Sequence, residues 1–449
     1  MNKTRRTTSR RFRAFGLKFL LSGAVLLATS PMLFLLAPAA AQAPPSQASP
    51  AQAQALLAQA DEVLEEMSQI TGLPIKGPLK KLVLSRAEIR KYLEESLREE
   101  YTPEEIHTQE AELKAFGLVS AEFDLAKFLI AFYTEQAAGA YDAHRKTMFI
   151  ADWPPPEMQR LVLAHELTHA LQDQNFDLLR FLHGAKEDDD ATNARQAVME
   201  GHATAAMMQN LIGETDLGAL PSLQPMMAGV INQQFTEFPA FSNAPYFFRL
   251  EALFPYVQGM GFIQTGLQHG GWKELRTLFL TPPSATKEIF EPDVYFEGKA
   301  LPKISLPRPP ALNGQTELRV LSENIFGELG YNALLGQFIS ENEAKAVASG
   351  WLADRFILYE AKAPSRFALI SRTRWASAET ALAFFRDYHT ILAHKYPELS
   401  PDKRSGIDLF IGSTANGQVI LLRKGDECLW AEGVPLDKAD AMLSWLQSL

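Results

Sequence analysis

Two histidines four residues apart, with a glutamate between them, are the side chains of this sequence best placed to do chemistry. They are His165, Glu166 and His169, within Leu161-Val162-Leu163-Ala164-His165-Glu166-Leu167-Thr168-His169-Ala170-Leu171. On a helix, positions i and i+4 lie one turn apart on one face, so both imidazoles can reach a single ion. Zinc accepts neutral nitrogen donors in a tetrahedral set, and a catalytic zinc keeps three protein donors and one open position. Glu166 stands beside that face, where it can take a proton from a zinc-bound water instead of binding the metal. Positions 161–171 are uncharged apart from the motif, which predicts a buried helix. There, two imidazoles and a carboxylate without an ion would be costly. These residues point to one zinc ion.

The third donor must come from another element. A helix expected over 190–212, with Asp190 as N-cap and Gly213 as C-cap, carries Glu200-Gly201-His202. Residues two apart on a helix point about 200° apart, so Glu200 and His202 cannot both face one metal. Glu200, 31 residues beyond His169, leaves room for the first helix to end, a turn and a returning helix. It is the better placed donor. Oxyanion stabilisation calls for a further hydrogen-bond donor, for which Tyr256 comes first and Tyr141, His144 and His269 follow.

With those residues in view, the chain resembles the gluzincin clan, the thermolysin-type metallopeptidases. The resemblance implies His165, His169 and Glu200 as zinc ligands and Glu166 as general base. More narrowly, the run HELTHALQDQ from His165 to Gln174, with Glu200-Gly201-x-Ala203 downstream, is similar to a group of exported bacterial metallopeptidases. Phe254-Pro255-Tyr256-x-x-Gly259 and Pro282-Pro283-Ser284-x-Thr286 belong to the same likeness, which covers most of 124–300. Thermolysin-like enzymes carry an Asp four residues after the ligand Glu to hold a ligand His, and here Thr204 stands there. Position 202, usually acidic in the narrower group, is His.

The rest of the sequence sets the frame. Seven basic residues (Lys3, Arg5, Arg6, Arg10, Arg11, Arg13, Lys18) precede an apolar stretch over 19–36 and the small residues Ala39-Ala40-Ala41. This reads as a signal segment over 1–41, cleaved or kept as an anchor, and implies a periplasmic or extracellular protein. Without it the chain has 36 basic and 53 acidic residues, a net charge of −17. Such a surface repels phosphate backbones, which argues against nucleic acid as a partner and leaves a protein or peptide substrate. Cys428 is the only cysteine, which excludes an intramolecular disulfide and a thiolate cluster.

An Ala/Gln/Pro linker is expected over 42–60, a helical region over 61–123 and a zincin-like catalytic domain over 124–305. Within it, 139–150 reads as a hairpin and 156–173 as the metal-binding helix. The acidic run 187–190 reads as a solvated loop and 319–355 as helical. Strands near 356–359, 367–372, 407–412, 419–424 and 428–432, with helices over 376–395 and 438–449, make a C-terminal α+β domain over 311–449. The fold class is α+β. The function that follows is zinc-dependent hydrolysis of peptide bonds; the alternative is an inactive zincin scaffold serving as an envelope binding or chaperone-like protein.

Overall fold

The structure, a computed structural model, describes residues 50–449 apart from 137, 153–155, 186–187, 236–237, 313–317 and 363–365. The expected signal segment, the linker before residue 50 and Glu187 lie outside the described residues.

The first described helix, α1 (Pro50–Thr71), takes in residues 50–60 of the expected linker. Alanine and glutamine are good helix formers. Leu56, Ala60, Val63, Leu64 and Met67, spaced at one to two turns, give the helix a buried stripe. A short strand, β1 (Lys80–Leu84), then interrupts the region expected to be helical throughout. It lies parallel to β3, with Lys80 opposite Thr147 and Leu84 opposite Ala151. Helices over Arg86–Glu100 and Pro103–Phe116 follow, each opened by a capping box, Ser85 with Glu88 and Thr102 with Glu105. The expected hairpin is present as β2 (Gly139–Asp142) and β3 (Thr147–Ala151). The strand order β1-β3-β2 leaves β2 at an edge.

Three long helices form the body behind this small sheet: α2 (Pro156–Phe176), α3 (Asp189–Ile212) and α4 (Tyr246–Leu275). The N-cap of α3 is Asp188, which accepts from the Ala191 N–H at 2.9 Å, and not Asp190. Asp190 is 1% exposed and accepts from the backbone and hydroxyl of Thr286. Asp190 is therefore a buried joint, with Asp188 and Asp189 half-buried beside it, contrary to the solvated loop expected from their charge. Helices α3 and α4 cross at two glycines. A Cβ on Gly201 would overlap the Gly259 backbone carbonyl, and one on Gly259 would overlap the Ala197 carbonyl.

The segment 319–355 is mixed and not helical throughout. It holds β4 (Leu318–Asn324), helices Gly327–Phe338 and Glu341–Ala348, and the start of β5 (Trp351–Ala361). The antiparallel sheet there runs β4-β5-β6-β10-β9-β8-β7, where β6 is Phe367–Trp375, β7 Ser400–Pro401, β8 Leu409–Thr414, β9 Gly417–Lys424 and β10 Glu427–Val434. Its side chains alternate between two cores. Cys428 and Trp430 face the main core with Phe384 and Tyr388, while Leu429 and Ala431 face Met442 and Leu446 of the last helix. The fold class is α+β, as expected. Among the described residues, no helix is long and apolar enough to cross a membrane.

The helical body and the sheet share one hydrophobic core. Phe116 stacks on Phe326 at 4.1 Å and meets Phe356 edge-on at 5.2 Å. Gly327, at φ +73°, leaves room for the Asp190 carboxylate beside it. Asp354 of β5 accepts from the Phe326 and Gly327 N–H groups, each at 2.9 Å.

Candidate metal centre

Helix α2 presents His165 and His169 from successive turns towards α3, and α3 presents Glu200 back to them. The Nε2 atoms of the two histidines lie 3.0 Å apart. Glu200 Oε2 is 3.1 Å from Nε2 of His165 and 3.2 Å from Nε2 of His169. Among the described residues these three form the one group of donors close enough to hold a metal ion together. All are buried, at 1% exposure or less. Two imidazole nitrogens and one carboxylate oxygen, converging on a point from two packed helices, fit the donor set of a zinc site with an open fourth position. The fit is chemical as well as geometric: two imidazole nitrogens and a carboxylate oxygen bring three lone pairs to one point, where an ion would accept all of them.

Electrostatics of the metal-free triad agree. Burial works to raise the Glu200 carboxyl, but the two imidazoles outweigh it and hold the group at about 2. Burial likewise opposes charge on His169, yet Glu200 and Glu166 raise it to about 9. His165, desolvated and beside a charged neighbour, falls to about 4. The pocket thus holds one proton on His169 against one negative charge on Glu200, which a divalent cation would displace.

Glu166 is fully buried next to the triad. Strand β2 runs hard against it: a Cβ on Gly139 would sit 3.3 Å from the Glu166 Cγ and overlap Val162. Of the four oxyanion candidates, Tyr256 is the one at the site, its ring 6.1 Å from that of His165. It stands one turn before Gly259, so the glycine crossing of α3 and α4 brings it there. Tyr141 is engaged elsewhere, donating to Asp173 at 2.6 Å. His144 is half-exposed and pairs with Glu100 at 3.3 Å. His269 is exposed and stacks on Phe296.

His202 is buried but points away from the ion position, its ring perpendicular to Trp272 and Phe279, each 5.5 Å away. Burial lowers it to about 3, so it is neutral. Thr204 is buried too, and among the described residues its hydroxyl has no hydrogen-bond partner. It holds no ligand histidine. Two residues that sequence reasoning passed over shape the site. Asp173 clamps the hairpin to the end of α2 through Tyr141 and Lys146. Gln172, one turn past His169, hydrogen-bonds to its Nδ1 at 2.8 Å. The signal for both was a polar residue on an otherwise buried helix.

Comparison with known families agrees with the kind of protein this geometry describes. Residues 107–219, which carry all three candidate ligands, match the Peptidase M78 family, the IrrE N-terminal-like domain. The match supports a metallopeptidase-like domain, and the buried cluster of His165, His169 and Glu200 is compatible with a metal ion. Residues 317–443, which contain the whole seven-stranded sheet, match a domain of unknown function, DUF8575. Each match spans about a quarter of the chain. No curated protein and no solved structure matches it.

Proposed function

We propose that the protein is a zinc-dependent peptidase of the HExxH…E type, with His165, His169 and Glu200 as ligands of one zinc ion and Glu166 as general base. The observation that carries the proposal is the convergence of three buried donor atoms at 3.0–3.2 Å, two from one helix and one from the next, with a carboxylate beside them. A zinc ion bound there supplies Lewis acidity to water and to the scissile carbonyl. Glu166 takes the proton from the attacking water and returns it to the leaving amine. Tyr256 is the donor nearest the developing oxyanion, and the free edge of β2 is where an extended peptide would lie. The triad is closed in this conformation, since no ligand is more than 1% exposed; turnover on a protein substrate requires the packing over it to open.

The test is zinc stoichiometry together with cleavage of an unfolded protein. One zinc per chain is expected, and Glu166→Gln should keep it while turnover falls by about 10²–10⁴. A variant that stays active removes Glu166 as the base. One zinc per chain without any turnover would favour the alternative of a binding protein on a zincin scaffold.

A further inference from the structure

The Gln172 amide can sit only one way round. Its Nε2 lies 2.9 Å from the Met199 carbonyl oxygen and 3.1 Å from Nδ1 of His202, and its Oε1 lies 2.8 Å from Nδ1 of His169. A flipped amide would set its oxygen against the Met199 carbonyl, two acceptors face to face. The NH₂ end therefore donates one hydrogen to Met199 and one to His202, which fills its capacity. Oε1 is left to accept, so Nδ1 of His169 must carry a hydrogen.

We propose that Gln172 is a positioning residue for the metal: it fixes His169 in the tautomer and ring orientation that turn the Nε2 lone pair to the ion, and His202 anchors Gln172. The proposal rests on the zinc reading above. It gives a role to a histidine that the metal does not use. His202 accepts through Nδ1, so its own hydrogen is on Nε2, which has no hydrogen-bond partner among the described residues; the ring stands perpendicular to those of Trp272 and Phe279. The arrangement also stands where Thr204 offers nothing to a ligand histidine. A ligand's outer partner here comes from the same helix, one turn on, instead of from the helix bearing the third ligand.

The experiment is zinc affinity by chelator competition on the full-length protein, with circular dichroism to report folding. Gln172→Met, which keeps length but cannot accept, should weaken zinc binding by about 10–100-fold. Gln172→Glu, which restores an acceptor opposite His169 but sets its second oxygen against the Met199 carbonyl, should recover only part of that loss. His202→Phe, which keeps the ring but removes the acceptor, should weaken zinc less than Gln172→Met does. Wild-type affinity in folded Gln172→Met overturns the proposal. If that variant does not fold, the ring ¹⁵N resonances of zinc-loaded wild type decide, with His202→Phe giving the assignment. Nδ1-protonated His169 and Nε2-protonated His202 are expected, and the opposite tautomer at either refutes it. A wild-type protein that binds no zinc would instead bring down the zinc reading itself.

Discussion

Two buried carboxylates, one in each half of the molecule, are handled in opposite ways. Glu432, on the sheet, is 2% exposed and accepts from the Tyr388 hydroxyl at 2.5 Å, the Lys395 ammonium at 2.6 Å and the Tyr396 hydroxyl at 2.8 Å. Its charge is matched by the protein's own cation. Glu200, on α3, is equally buried, but the groups that meet it are two imidazoles that also crowd each other at 3.0 Å. A buried charge needs a partner and hydrogen bonds. The sheet contains both, and the helical half leaves a place for an ion. Burial of a carboxylate is thus no sign of a metal site; what surrounds it is.

Three changes probe that contrast, the largest effect first. Lys395→Met removes the cation from Glu432 and should destabilise the fold by about 3–5 kcal/mol, the cost of leaving one member of a buried pair alone. Zinc affinity measured on the protein that remains folded should be unchanged. A zinc defect would mean that the two carboxylates are not independent. Gly201→Ala should cost about 1–3 kcal/mol in a denaturant melt, because its methyl group drives α3 and α4 apart. Helix propensity alone would act in the other direction, by up to about 1 kcal/mol, so a stabilised variant would show that the crossing is loose. The smallest effect per step is on pH. His169 is held near 9 when metal-free, so below that pH a proton competes with zinc for Nε2. Zinc affinity should rise about tenfold per pH unit between pH 6 and 8, with one proton released on binding. Calorimetry in buffers of different ionisation enthalpy measures both. A pH-independent affinity would place the proton elsewhere.

The ligand helix was legible because its chemistry is local: His165, Glu166 and His169 fall within one turn and need no tertiary information. Glu200 was legible from its spacing, since 31 residues beyond His169 leave room for a turn and a returning helix. The hairpin was marked by its polar turn. What escaped depends on distant partners. Strand β1 is five residues, Lys80–Leu84, between charged helices, and it is a strand because β3 lies alongside it more than sixty residues later. Strand β4 was absorbed into a helical reading because it is short and takes its register from β5. Residues 50–60 looked like linker because alanine and glutamine give little apolar contrast, although Leu56 and Ala60 are buried. The role of Gln172 could not be read at all. It exists only because folding brings Met199 and His202 to the other end of its amide.

Helix α3 has one further consequence, a mechanical one. Its first turn is gripped by the joint of Asp190 with Thr286 and Gly327, next to the Asp354 cap on the sheet. Glu200 rides the same helix eleven residues along, about 16 Å at 1.5 Å per residue. An unbroken helix is stiff over that length. Any force or displacement at the sheet is therefore delivered along a rod to Glu200, so a tug on the C-terminal half becomes a tug on the candidate site.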